Sequence, residues 1–248
     1  MNKNIIQRFW EIDLLRGIAI IMMIIFHFLY DLNFFGIYKI SLYTGYWLIY
    51  AYIGGTIFFS LVGISLSLSY NRIKNSVTKK QVFTKYMQRG LKIFGLSMVI
   101  TLGTWIYLTN GFIVFGALHC IAVSILLSYP FLKLRYPNLI LGVILILCGI
   151  ILKNFNFDFY WLLWLGFSPS TFYTVDYYPI LPWFGVILLG IFVGNVLYPE
   201  YKRKFRLKDL SSFRITKILS FLGRHSLIIY LIHQPIMIGI IHLLLYQY

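Results

Sequence analysis

The sequence predicts an all-α fold: a polytopic membrane helix bundle of about seven transmembrane helices plus a short interfacial or re-entrant segment. Three observations carry that expectation. Hydrophobic residues fill 60% of the 248 positions and charged residues only 12%, a balance outside that of soluble domains, and the mean hydropathy is +0.80. Several apolar stretches reach roughly the seventeen residues a bilayer crossing needs, too many for a soluble protein with one anchor. The cations are also asymmetrically placed. With a cytoplasmic N-terminus, all of the 22 Lys and Arg except Lys39 and Lys153 fall on the cytoplasmic side.

These observations bound the function as well. A net charge of +15 would by itself suggest nucleic acid. Its confinement to one membrane face points instead to anionic lipid head groups or a soluble polyanionic cofactor, and nucleic acid is not an expected partner. The chain is expected to be one domain over residues 1–248, an integral multipass protein of a prokaryotic plasma membrane. The first helix is not expected to be cleaved, since Arg16 sits near its start and no small-residue cleavage site follows. Cys120 and Cys148 lie in apolar runs without paired spacing, so they are expected to pack, with no disulfide and no metal site.

Taken in order, helix 1 runs outward over residues 12–34 and helix 2 returns over 46–70. The strongly basic stretch 71–88 is expected to be a cytoplasmic loop. Helices follow at 90–108, 113–132 and 137–153, the last begun by Pro137. The long outer segment 154–178 contains an apolar stretch, 159–167, too short to span. Helix 6 covers 179–198 and a single closing helix 218–245. Gly190-x-x-x-Gly194 and Gly63-x-x-x-Ser67 are small-residue patterns that allow close backbone approach.

Helix 1 carries the chemistry. At 100° per residue Asp13, Arg16, His27 and Asp31 fall within a sector of about 60°, against otherwise apolar faces. Such a stripe must face protein or a wet cavity, and a functional site is its default meaning. Asp31, one turn beyond His27, is placed to hold the imidazole in one tautomer and to stabilise its cation, making His27 a competent base. The plainer alternative has His27 bonding a neighbouring helix. On the basic side Arg72, Lys85, Arg89, Lys92 and Arg224 could converge on phosphates, with Arg89 and Arg224 foremost because each sits where a loop meets a helix. Solvated positive-inside charge explains any one of them equally simply.

The run from Glu11 to Ala19, followed by Phe26-His27-Phe-Leu-Tyr-Asp31, resembles the first helix of the heparan-alpha-glucosaminide N-acetyltransferase catalytic-domain family, a group of transmembrane acyltransferases related to acyltransferase type 3. Residues 58–70, Asp176-Tyr-Tyr-Pro-Ile-Leu-Pro-Trp-Phe-Gly185 and Leu222-Gly-Arg-His-Ser-Leu-Ile-Ile-Tyr-Leu-Ile-His-Gln-Pro235 resemble its other conserved stretches. The resemblance implies transfer of an acyl group, usually acetyl, from cytoplasmic acetyl-CoA (coenzyme A as acyl-donor co-substrate, no metal) to a sugar hydroxyl or amine on the outer side. His27 inherits the catalytic role, either as base or as acyl carrier. Arg16 lies roughly 16 Å from His27 along the helix axis, comparable to an extended pantetheine arm, so phosphates gripped by Arg16, Arg89, Lys92 and Arg224 would place a thioester beside His27. The paired-arginine motif of acyltransferase type 3 corresponds here only to Arg89 with Lys92.

His233, in the matching stretch of the last helix, is a second candidate catalytic group able to donate to a developing oxyanion, or else a satisfied interhelical histidine. His119 and Asp176 are candidate acceptor-binding residues. A structural histidine and a cap on helix 6 are their plainer alternatives. Expected partners are acyl-CoA, a sugar or glycan acceptor and membrane lipids, and a homodimer is compatible with the sequence. Two rival functions remain open at this level. One is a haem electron carrier using His27, His119 and His233 as ligands; the other is a proton-coupled transporter using His27 and Asp31.

Overall fold

The computed structural model describes residues 8–245, and among these every regular element is helical. The chain forms two compact units, Met1–Leu61 with Leu207–Tyr248, and Val62–Arg206. Five helices are long and apolar enough to cross a membrane: α1 (Trp10–Phe34), α2 (Gly45–Ile73), α3 (Lys79–Tyr107), α6 (Ile180–Leu197) and α8 (Ser226–Leu245). Two further apolar helices, α4 (Ala117–Leu127) and α5 (Tyr136–Leu152), are shorter, so five of the expected seven spans have the length and composition of a crossing among the described residues. Most large apolar side chains on α3 and α5, such as Val99, Trp105, Ile106, Ile140 and Leu147, are exposed. In water that would be an aggregation surface; with five long apolar helices it fits an integral membrane protein.

In the first unit α1 packs against α7 (Arg214–Arg224) and α8. Small residues make this possible. A Cβ on Gly17 would overlap the Leu219 carbonyl and one on Gly223 would overlap the Asp13 carbonyl, so each backbone presses directly on the other. Thr216, Ser220 and Gly223 form the buried stripe of α7, while Ile215, Ile218 and Phe221 are exposed beside Arg214, Lys217 and Arg224. The single closing helix expected over 218–245 is therefore two. α7 ends at Arg224, and the His225 amide turns back to the carbonyls of Phe221 and Leu222 before α8 begins. Pro235 lies inside α8.

In the second unit α5 and α6 pack through Gly142 and Gly185, each of which would clash with the other's carbonyl if it carried a Cβ. The C-terminal half of α2 meets α6 the same way. A Cβ on Gly63 would strike the Ile187 carbonyl and lie 2.9 Å from Gly190 Cα, and one on Gly194 would lie 2.7 Å from Ser67 Cβ. Both small-residue patterns thus mark a backbone contact. α4 is the most buried helix, with Leu118, Cys120, Ala122 and Ile125 in its core, whereas Cys148 on α5 is exposed.

Two boundaries differ from the sequence expectation for identifiable reasons. The basic stretch expected to be loop to residue 88 becomes helix from Lys79, because Thr78 and Gln81 form a reciprocal capping box, and Val82, Tyr86 and Gly90 then give the first turns a buried face. α4 stops at Leu127 because Pro130 cannot continue it, and a 3-10 turn, Tyr129–Phe131, takes over. The segment between α5 and α6 has no helix. Its turn around residues 160–167 is fastened to the start of α6 by Ile180 N–H to Trp164 O and Leu181 N–H to Leu165 O. The Tyr177 hydroxyl donates to Leu163 O at 2.8 Å, and burial pushes this phenol's pKa up to about 12.

Candidate functional site

The outer half of the polar stripe of α1, His27 and Asp31, meets α8, while its Asp13 end packs on α7. Asp31 is buried at 2% exposure, His233 at 9%, and His27 is half-buried. The two imidazoles meet edge to face, their ring centroids 5.0 Å apart and the planes at 87°. Each ring is fixed by its own helix. His27 Nδ1 is 2.9 Å from the Met23 carbonyl and His233 Nδ1 is 2.6 Å from the Tyr230 carbonyl. A carbonyl oxygen only accepts, so in both rings Nδ1 carries the hydrogen and Nε2 presents a lone pair. The Nε2 of His233 is buried without a partner.

Asp31 does not hold His27 through a hydrogen bond, contrary to the expected tautomer-fixing pair. Its Oδ1 accepts from Gln234 Nε2 at 2.6 Å, and its Oδ2 is left buried and unpartnered. The Met23 carbonyl performs the orienting task because an imidazole on a helix reaches the carbonyl one turn back more directly than a carboxylate one turn ahead. Asp31 remains within electrostatic reach of His27. Gln234 is the residue that sequence reasoning missed. Its Oε1 is also buried and unpartnered, so four polar groups converge here with three acceptor atoms, on Asp31, His233 and Gln234, unspent. The signal was present in the His-Gln-Pro run of the closing helix, where the glutamine stood between two residues that drew attention.

Nearer the N-terminus Arg16 Nη1 bridges Asp13 Oδ1 at 2.9 Å, and Arg8 and Arg224 act on the same carboxylate electrostatically. Arg16 and Arg224 are therefore brought to one place. Arg89 and Lys92 lie exposed on α3 in the second unit.

His119 and Asp176 also meet, but around the start of α4. Asp176 Oδ2 accepts from the Ala117 amide at 3.1 Å, so it caps α4, where the sequence had suggested a cap on helix 6. A Cβ on Gly116 would overlap Asp176 Oδ2, which is why glycine stands there. His119 Nδ1 accepts from the Gly116 amide at 3.3 Å and its Nε2 faces Thr101 Oγ1 at 3.1 Å. Both ring nitrogens are spent. The pair stabilises the N-terminus of a buried helix whose orphan amides would otherwise go unpaired.

Among the described residues no three His, Cys, Asp or Glu side chains gather as a metal-ion set. The family described as Heparan-alpha-glucosaminide N-acetyltransferase, catalytic, matches residues 8–235. No curated protein and no solved structure matches the chain.

Proposed function

The chain belongs to the heparan-alpha-glucosaminide N-acetyltransferase catalytic family, a membrane acyltransferase group, and we propose that it transfers an acetyl group from acetyl-CoA to a sugar hydroxyl or amine with His27 as the base. One observation supports this most: His27 and His233 stand edge to face with both Nδ1 atoms pinned, so both Nε2 lone pairs are free for an incoming proton.

In this mechanism His27 Nε2 removes the proton from the acceptor as its oxygen or nitrogen bonds to the acyl carbon. The carbon–sulfur bond then breaks, and the imidazolium returns its proton to the departing thiolate. Asp31 stabilises the His27 cation across the space between them, and Gln234 holds the carboxylate for that purpose. The buried, unpartnered Nε2 of His233 fits a hydroxyl or amine of the acceptor, whose hydrogen it would accept. Acetyl-CoA supplies the activated acyl group. Arg16 and Arg224, which act on the same Asp13 carboxylate within the first unit, are the residues assigned to its phosphates. Donor entry from a cytoplasmic basic face follows the positive-inside distribution. His119 and Asp176 hydrogen-bond the amides at the start of α4 and are assigned a scaffold role in this reading.

The test is thiol release from acetyl-CoA by purified protein in lipid, with a panel of amino sugars and polyols. Replacing His27 with Ala should lower kcat by about 10²-fold to 10⁴-fold, with the thermal midpoint little changed. Retained full activity in a folded His27→Ala protein would remove the mechanism.

A further inference from the structure

A second polar site lies within the Val62–Arg206 unit, and none of its lining residues has been assigned to acyl transfer above. A cavity of about 270 Å³ is lined by Tyr70, Asn71 and Lys74 at the end of α2, by Lys133 and Arg135 in the turn before α5, by the buried Asn195, and by Pro199 and Glu200 after α6. Its walls are tied by buried amides. Asn195 Oδ1 accepts from Ser67 Oγ at 2.6 Å and from Asn71 Nδ2 at 3.2 Å, while its Nδ2 donates to the carbonyls of Leu132 and Leu134. Asn138, fully buried on α5, donates to Phe131 O and Leu134 O in the same turn. On the third side Glu200 and Tyr201 adopt left-handed φ values of 52° and 61°, a conformation that non-glycine residues keep only when their surroundings impose it.

The charges at this cavity are not spent on one another. Among the described residues Lys74, Lys133, Arg135 and Glu200 make no ion pair or side-chain hydrogen bond. Three cations against one carboxylate leave the lining at +2. Asn195 has all four of its hydrogen-bonding positions filled, so the floor offers structure and the rim offers charge. We propose that this cavity binds the phosphate of a phosphomonoester. A dianion of roughly −1.5 to −2 charge matches the surplus, and Arg135 adds the forked geometry that phosphate oxygens accept. The volume lies just below the range of drug-sized pockets, about 300 to 1,000 Å³, so a head group enters while the rest of its molecule stays outside. The phosphate could belong to a soluble nucleotide-like ester or to an anionic phospholipid, and the site does not depend on the acyl-transfer mechanism.

The experiment uses full-length protein in nanodiscs and needs no turnover. Binding of adenosine 3′,5′-bisphosphate is measured in phosphatidylcholine discs, and the thermal midpoint is compared between phosphatidylcholine discs with and without phosphatidic acid. The variants are Lys133→Gln with Arg135→Gln, Lys74→Gln alone, and Lys79→Gln with Lys80→Gln as a charge-matched control on exposed residues outside the cavity. A drop in bisphosphate affinity of about tenfold or more in the first variant, a smaller one in Lys74→Gln and none in the control would assign a soluble ester. A phosphatidic acid stabilisation lost in the same two variants and kept in the control would assign a lipid. Absence of both effects in the unaltered protein, or equal losses in cavity and control variants, would overturn the site.

Discussion

Gln234 illustrates how one side chain can decide what its neighbours do. It holds the Asp31 carboxylate at 2.6 Å, so replacing it with Leu should leave both carboxylate oxygens unpaired. We expect kcat to fall, less than in His27→Ala, with little change in KM for the acceptor; a rise in KM alone would show that Gln234 binds substrate instead. Asn195 is the corresponding residue of the second unit. Asn195→Leu strands the Ser67 hydroxyl and two turn carbonyls, at about 1 to 3 kcal/mol for each buried group left unsatisfied, and should lower the thermal midpoint measurably in a scan. Tyr177 gives a pH signature. Its pKa in the folded protein is raised to about 12 by burial, so it contributes stability that is fully present below the free phenol's ordinary value near 10 and lost as pH rises through 12. Tyr177→Phe should flatten the alkaline fall in stability between those limits. Of these residues the sequence made His27, Asp31 and His233 visible, because ionisable groups stand out in an apolar helix. Gln234 and Asn195 are neutral and looked ordinary. Their roles depend on partners 203 and 128 positions away, Asp31 and Ser67 respectively.

At the level of the element, apolar runs located α1 to α6 and α8 but merged α7 into the closing helix, while the ends were set by local chemistry. Thr78 with Gln81 begins α3 well before the apolar run, and α7 breaks from α8 at His225, a junction with neither proline nor charge run to announce it. The capping box can be measured directly: Thr78→Ala should cost about 1 kcal/mol and shorten the protected length of α3 in hydrogen exchange. Glycines divide into two kinds. Gly17→Val would drive a side chain into the Leu219 backbone and should separate α1 from α7, costing well over the 1 to 3 kcal/mol typical of overpacking. Gly103→Ala meets nothing within 4 Å on the exposed side of α3, and should stabilise by roughly 0.5 to 1 kcal/mol. Thermal midpoints of the two variants in one detergent should therefore move in opposite directions.

For the whole molecule, membrane residence was legible in the composition, and the exposed apolar faces of α3 and α5 agree with it. Orientation rests on the charge distribution. The C-terminus should be accessible to an impermeant reagent from outside intact cells, and the basic stretch after α6 should be reached only after permeabilisation. Reagent access at the reverse faces would invert the donor path. Where α4 begins was beyond the sequence's reach, because it is capped by Asp176 from 59 positions away and no local pattern records that. Finally, Pro235 sits two residues beyond His233 and has no N–H to give the Leu231 carbonyl. In hydrocarbon such an oxygen is costly when left dry. One turn of α8 beside the imidazole pair is thus short of a backbone donor, and the hydroxyls of the proposed acceptor are of the kind such a carbonyl takes.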